Sequence, residues 1–500
     1  MLHKILMTML TVVFGCQLYA QPGMSASSAI ADILSGEGER MEAACAFLST
    51  DRSDSTFVFV EALLAGKYKD SVNLSRKYRM KLSALKPFLD LNDLSAEVRT
   101  AAYESIAQMQ HSQDLPTLES AVAKESDVVA KVKGQEFLNI LMLAVGDKDQ
   151  QTTALEAIAE TRNMVYATAV DNYEQREDIS NTNRAAAESL MKYYDMVKRN
   201  NNVYQNIFSG LSLGSILVLV SLGLSIVYGL AGIINMSHGE FLMIGAYTTY
   251  CVQQIFEQFL PASMFDFAFF LSLPLSFIVA ALFGLAIERL VLRHLYSRPL
   301  ESMLATLGIS LILIQLARSI FGDLTTVKAP AILSGGIALD SGLILPYNRL
   351  FIIGLTIVIF IGVYLLFQRT RLGVRIRAVT QNRNMSACVG ISTKKIDMIT
   401  FMLGSGLAGV AGCAITLIGN VVPNMGQTYI VDSFLVVVTG GVGKLAGCAI
   451  SGLGIGVLSK FFEAGFEAVY GKVLILLFII IFLQYRPKGL FADKGRIGDD

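Results

Sequence analysis

The chain has 500 residues, 53% of them hydrophobic, with 41 basic and 41 acidic side chains and a formal net charge of zero. A mean hydropathy of +0.52 excludes a wholly soluble globular chain and fits a membrane protein that carries a soluble domain. The zero charge is a cancellation that identifies no partner. Residues 21–200 hold 20 Lys and Arg against 27 Asp and Glu, residues 201–500 hold 20 against 14, and nearly all the long apolar runs lie in the second part.

Residues 1–20 read as a secretory signal. His3 and Lys4 form a short basic start, residues 5–14 are apolar, and Leu18-Tyr19-Ala20 precedes Gln21-Pro22. So short an apolar core suits cleavage better than membrane spanning. Cys16, following Val13-Phe14-Gly15, leaves a lipoprotein reading open. Residues 23–200 are then expected to be an exported, periplasmic helical domain. Residues 94–106 and 153–159 carry apolar side chains at three- and four-residue steps, and Asp127 opens a further helix over 127–132. Short helices between turns rich in Asp, Ser and Asn suggest a small HEAT-like stack, with an ordinary helical bundle as the alternative. Within this domain Cys45 stands alone, so no internal disulfide is expected, and His111 is expected on the surface. The six cysteines show no metal spacing.

About eight apolar segments follow, at 203–229, 237–256, 266–292, 303–321, 349–367, 396–418, 433–458 and 469–485. Each is near the ~20 residues that cross a ~30 Å hydrocarbon core. The expected fold is therefore all-α: a polytopic helical membrane protein behind an exported helical domain. Glycines crowd the sixth and seventh segments, at Gly404, Gly406, Gly409 and Gly412 and at Gly452, Gly454 and Gly456, which lets helices approach closely. Basic residues put Arg293, His294 and Arg298, the loop 368–395, and the tail from Arg486 through 492–500 on the cytoplasmic side. The loop 322–348 is expected on the exported side. An exported start and a cytoplasmic tail need an odd number of crossings, so one of the eight segments must be re-entrant, broken or mis-bounded. Residues 235–240 and 439–444, polar or rich in glycine, are the candidate breaks.

The run Asn235-Met236-Ser237-His238-Gly239-Glu240-Phe241 puts a carboxylate, an imidazole and an amide between apolar flanks. Ionisable groups are costly in lipid and normally face a protein interior or a solute path. For Glu240 both readings stand: a carboxylate satisfied by neighbouring structure, or a member of the path. The loop 368–395 holds Arg369, Arg371, Arg375, Arg377, Arg383, Lys394 and Lys395 and no acid. Within it Val379, Arg383 and Ser386-Ala387 are expected on one face of a short helix that Gly390 ends. A cytoplasmic motor would grip such a helix; anchoring to anionic lipid is the alternative. Gly210-Leu211-Ser212-Leu213-Gly214 spells a serine-hydrolase elbow without a preceding strand, and residues 440–444 fail the phosphate-loop spelling. Neither hydrolysis nor ATP binding is expected of this chain.

Five separated motifs resemble, in order, the LivH-type permeases of branched-chain amino acid ABC importers. They are residues 235–247; Arg298-Pro299-Leu300 with 304–308; 378–391; 434–443; and 486–491. Residues 288–296 and Leu333-Ser334-Gly335-Gly336, with the exported extension, resemble the urea-importer permease subunit. The resemblance implies a permease that moves urea across the bacterial inner membrane by alternating access, with no enzymatic activity of its own. It implies as partners a second permease subunit, two ATP-binding-cassette ATPases that hold the ATP, a periplasmic solute-binding protein and the lipid bilayer. No cofactor in this chain and no nucleic acid are expected. Expected pathway residues are Asn235, Ser237, His238, Glu240, Thr306 and Thr439. Expected ATPase-coupling residues are Arg377, Gln381, Arg383, Ala387 and Gly390. A branched-chain amino acid or another small amide as solute, and a passive urea channel, are the alternatives.

Overall fold

The computed structural model describes residues 25–35, 43–45, 47–48, 54–64, 82–83, 85–231, 235–261, 264–295, 298–339, 343–466, 468–487 and 489–491. The signal expected at 1–20 and the tail 492–500 lie outside the described residues. The chain divides into two compact units, Met1–Val197 and Lys198–Asp500.

The first unit is helical: α1 (Ala26–Ser35), α2 (Asp54–Leu64), α3 (Lys86–Asp90), α4 (Ala96–Met109), α5 (Leu115–Lys124), α6 (Val128–Val145), α7 (Lys148–Thr161) and α8 (Ala167–Glu174). Local chemistry sets the starts. Asp127 caps α6, its carboxylate accepting from the amides of Val129 and Ala130 at 3.0 and 2.9 Å. Gln150 reaches back to the amide of Asp147 at 3.0 Å at the head of α7. Such caps satisfy amides that the first helical turn leaves without partners. α6 touches α4, α5, α7 and α8. One apolar cluster includes Tyr103, Ile106, Leu118, Val122, Leu138 and Leu141, and a second includes Leu155, Ile158, Tyr166, Val170, Tyr173 and Tyr194. His111 is exposed, and Cys45 is buried.

α9 spans Asn181–Ala231, with residues 181–197 in the first unit and 198–231 in the second. Residues 181–202 hold no Pro or Gly, and Ala187, Leu190 and Tyr194 recur at helical spacing, all buried.

The second unit continues with α10 (His238–Phe259), α11 (Phe265–Leu290), α12 (Pro299–Phe321), α13 (Tyr347–Arg369), α14 (Arg371–Gln381), α15 (Arg383–Cys388), α16 (Thr393–Ile415), α17 (Met425–Gly440), α18 (Leu445–Gly465) and α19 (Ala468–Tyr485). The strands β1 (Gly336–Ala338) and β2 (Ile344–Pro346) form an antiparallel hairpin in an otherwise helical fold. Among the described residues, α9, α11, α12, α13, α16 and α18 contain the six spans long and apolar enough to cross a membrane, and Val469–Tyr485 is a shorter apolar helix. The polytopic helical architecture read from the sequence is the one observed.

The candidate break at 439–444 is where the chain turns. Residues 433–458 are the ends of two helices, α17 and α18, turned back on each other at Gly441 and Gly443, whose φ angles are +98° and +76°. Only glycine takes such angles without strain. Ser451 donates to the carbonyl of Val436 at 2.8 Å across this antiparallel hairpin. The eight expected segments thus contain nine helices.

α16 is the centre of the unit, packed against α10 and α11. A Cβ on Gly412 would lie 1.9 Å from the Leu242 carbonyl oxygen, and one on Gly409 would lie 2.5 Å from that of Ser276. Helices meet here backbone to backbone, as small residues permit inside membranes. By contrast, only 11% of the apolar window of α13 is buried, so its surface faces whatever surrounds the bundle.

In the first unit Glu125 is the most heavily bonded carboxylate. Arg99 donates twice, at 2.8 and 2.7 Å, Tyr103 once at 2.7 Å, and the amides of Ser126 and Asp127 at 2.9 and 3.0 Å. The Arg99 hydrogen bonds lead in holding its pKa down to about 2, from an ordinary 4.5. A folded value below the unfolded one means that the stabilisation is complete above pH ~4.5 and drains away as pH falls toward ~2. We expect Glu125→Gln to speed amide exchange in α4–α6 of the full-length protein about tenfold at pH 6 and to remove that acid sensitivity. Hydrogen exchange with mass spectrometry reads both.

Candidate functional site

α9 ends at Ala231 and α10 begins at His238, so the polar run sits at a break between helices. Asn235 builds the turn. Its Oδ1 accepts from the Ser237 amide at 3.0 Å and the Ser237 hydroxyl at 2.7 Å, and its carbonyl accepts from the amide of His238 at 3.3 Å. Thr306 on α12 holds the same turn from outside, accepting from the Met236 amide at 3.2 Å. Glu240 Oε1 accepts from Ser310 at 2.8 Å. His238 lies edge-on to Phe241, 5.8 Å between ring centroids, and against Gly223 of α9.

The cluster lies about halfway along its neighbours. Ser310 is the middle residue of the 23-residue α12. Gly404, whose missing Cβ leaves room for Gly223 of α9, is the middle residue of the 23-residue α16. Asn235, Ser237, His238, Glu240 and Thr306 are all buried.

Among the described residues, two polar atoms here have no hydrogen-bond partner: Asn235 Nδ2 and Glu240 Oε2. An unsatisfied buried donor or acceptor costs roughly 1–3 kcal/mol, and a charged one more. A concentration of them in one turn is where a fold trades stability for function. The tip of α17 meets the tip of α10 at the same place. A Cβ on Gly239 would lie 2.2 Å from the Gly426 carbonyl oxygen, and one on Gly426 would lie 2.6 Å from Glu240 Oε2. The first turns of α10 and α17, each the positive end of a helix dipole, therefore meet beside the Glu240 carboxylate.

Thr439 is not part of this cluster. It sits 13 residues beyond Gly426 on α17, ~20 Å along the axis, where its hydroxyl donates to the carbonyl of Leu435 at 2.6 Å and its carbonyl accepts from Leu490 at 2.8 Å. Ser310, Gly223, Gly404 and Gly426 were not singled out with the site by sequence reasoning. Only Gly404 carried a signal, the density of glycine in the sixth segment, which did not show which helix it would meet. Ser212 of the hydrolase-like spelling is buried inside α9, with Gly210 and Gly214 pressed against the backbone of α18.

The expected coupling segment also differs in shape. α14 and α15 are separate helices because Asn382 is extended (φ −152°, ψ 102°) and its side chain caps α15 through the amide of Met385 at 3.0 Å. Val379, Arg383, Ser386 and Ala387 thus do not share one helical face. Arg377 is exposed and donates to the carbonyl of Phe367. Gln381 and Ala387 are exposed, and Arg383 is paired with Asp397 of α16. Gly390, at φ +86°, ends α15, with Ile391 donating to Ser386 as in a Schellman turn.

Buried polar groups at the middle of a bundle of membrane-length helices define the class: an integral membrane protein built around an intramembrane polar site. Residues 206–483 match the family described as branched-chain amino acid transport system, permease component, and the chain belongs to that family. It is 29% identical over 294 residues to the high-affinity branched-chain amino acid transport system permease protein BraD of Pseudomonas aeruginosa, covering 58% of this chain and 95% of that protein. It is 30% identical over 289 residues to the probable branched-chain amino acid transport permease protein LivH of Methanocaldococcus jannaschii, covering 55% and 88%. It is 26% identical over 301 residues to the LivH permease protein of Escherichia coli K12, covering 58% and 95%. No solved structure matches the chain. The chain is thus a transport permease component of an ABC transporter family, multi-pass in the membrane.

The contact between Gly239 and Gly426 makes a sharp prediction. Gly239→Ala should lower the melting temperature of the purified protein by several degrees, following the roughly 1–3 kcal/mol of overpacking. Gly362→Ala on α13, where a Cβ meets nothing within 4 Å, should leave it unchanged or slightly raised. Thermal unfolding in detergent compares the two.

Proposed function

We propose that this chain is the urea-moving permease subunit of an ABC importer in a bacterial inner membrane. It works with a second permease, two ATPases and a periplasmic solute-binding protein, with its first helical unit exported. The observation that carries the solute assignment is the set of unpartnered atoms in the break before α10. Among the described residues Asn235 Nδ2 is a donor without an acceptor, and Glu240 Oε2 an acceptor without a donor. Urea offers the complement, a carbonyl oxygen and four N–H groups, and carries no charge. No Lys or Arg lies within residues 235–247, or makes a described hydrogen bond to them, to meet an amino acid carboxylate. Buried single donors and acceptors of this kind reject solutes that leave them unpaired.

Alternating access then requires the two helix tips to part. Glu240 and Asn235 hold the solute in the break, α10 and α17 close over it backbone to backbone, and the motor's cycle separates them. Discontinuous helices with tips at a midplane site are how many transporters bind solute. A second reading, a branched-chain amino acid as solute, is favoured by the printed names of the three relatives above. In that case a solute-binding protein selects, and the permease supplies passage.

Uptake in cells carrying the full complex and lacking native uptake decides between them. We expect labelled urea to enter at a rate that vanishes when the ATPases are disabled, and Glu240→Gln to cut it at least tenfold. Leucine uptake instead moves the solute and keeps the family. Urea flux that persists without ATPase makes this a channel. A second test addresses docking: Ala387→Pro in α15 should abolish transport and ATPase co-purification while membrane insertion stays intact. Transport that survives removes α15 from the coupling element.

A further inference from the structure

We infer that the ion pair between Arg383 and Asp397 transmits the motor's movement to the buried polar site, with α16 as the rigid element between them. The inference rests on the docking reading of α15 given above. Arg383 is the first residue of α15, and its guanidinium binds Asp397 with both terminal nitrogens, Nη1 at 3.3 Å to Oδ1 and Nη2 to Oδ2. Asp397 lies in the first turns of α16 and is buried, while the arginine side chain is 40% exposed. A bidentate arginine–carboxylate contact fixes orientation as well as distance. Beside it, Ile376 and Val379 of α14 pack on Ile396 of α16. The apolar contact is non-directional and tolerates sliding, whereas the ion pair does not.

From Asp397 it is two helical turns, ~10 Å, to Gly404. There α16 is in backbone contact with Gly223 of α9, the residue against which His238 rests. Two turns further, Gly412 meets the carbonyl of Leu242 and the amide of Ala246 on α10. A Cβ at either position would overlap these atoms, so α16 meets α9 and α10 in direct backbone contact. A pull on α15 therefore reaches the start of α10 as a shift of α16 as a whole. Asp397 is a positioning residue: it touches neither solute nor ATPase, and acts through Arg383.

The test uses the complete complex in proteoliposomes, with ATP hydrolysis and entry of labelled urea, and separately labelled leucine, measured on the same preparation. Asp397→Asn should keep assembly and ATP hydrolysis but lower the solute moved per ATP at least tenfold. The charge exchange R383D/D397R should recover a substantial part of that ratio. An unchanged ratio in Asp397→Asn overturns the inference, as does loss of assembly with the ratio intact. If Asp397→Asn does not accumulate, Arg383→Gln is read in the same way; failure of that variant to fold as well makes the pair purely architectural and overturns the inference too. A wild-type complex whose transport ignores ATP would instead remove the importer reading, and is distinguished before any variant is made.

Discussion

The constraint on which the second unit depends is backbone contact around α16. In a bilayer there is no water to expel from between apolar helices, so association rests on close packing and on hydrogen bonds that lipid cannot replace. Gly404, Gly409 and Gly412 give α16 flat faces that three other helices meet at carbonyl distance. A methyl group at any of these places would push a helix outward and open the core around Leu242, Ala246 and Ala411. The rest of the unit follows from that close centre: α9, α10 and α11 meet α16 at its glycines, and α13, with only 11% of its apolar window buried, is left on the periphery.

A bundle held that closely can carry a defect in its middle. The turn at 235–237 interrupts the helical hydrogen-bond ladder where no water relieves it, and Asn235 answers by supplying its own acceptors. Thr306 and Ser310, one turn apart on α12, reach across to the turn and to Glu240. These bonds satisfy the backbone and leave side-chain atoms over. Irregular backbone is tolerated at membrane depth under such conditions, where protein or a cavity surrounds it. The unmatched atoms are then a property of the fold's own economy at this site.

How far the sequence could be read follows from what kind of signal each feature leaves. The long apolar runs, the cap at Asp127 and the helix stop at Gly390 are local, and each was legible. The polar run at 235–241 stood out because charge in an apolar segment is rare. The glycines at 440, 441 and 443 marked a candidate break within 433–458, but nothing in composition shows that Gly441 and Gly443 take positive φ angles and reverse the chain there. The break at Asn382 was invisible because asparagine is tolerated in a helix as well as at a cap. Thr439 was grouped with Glu240 by residue type, yet the length of α17 separates them. Contacts between distant segments, such as Ser310 with Glu240 or Arg383 with Asp397, leave no periodic trace at all.

At the end of the bundle away from α14 and α15, the segment leading into α17 is tied down twice. Asn348 donates to the carbonyl of Leu417 at 2.9 Å, and Thr325 and Val421 exchange amide–carbonyl bonds at 2.9 and 2.8 Å. Only residues 422–424 separate that bridge from Met425, a tether of at most ~13 Å. The strap is coiled rather than drawn out, the amide of Met425 donating to the carbonyl of Val422 at 3.1 Å. The start of α17 therefore hangs a few residues from the loop after α12, and any change that unseats that loop reaches the neighbourhood of Glu240 without passing through the apolar core.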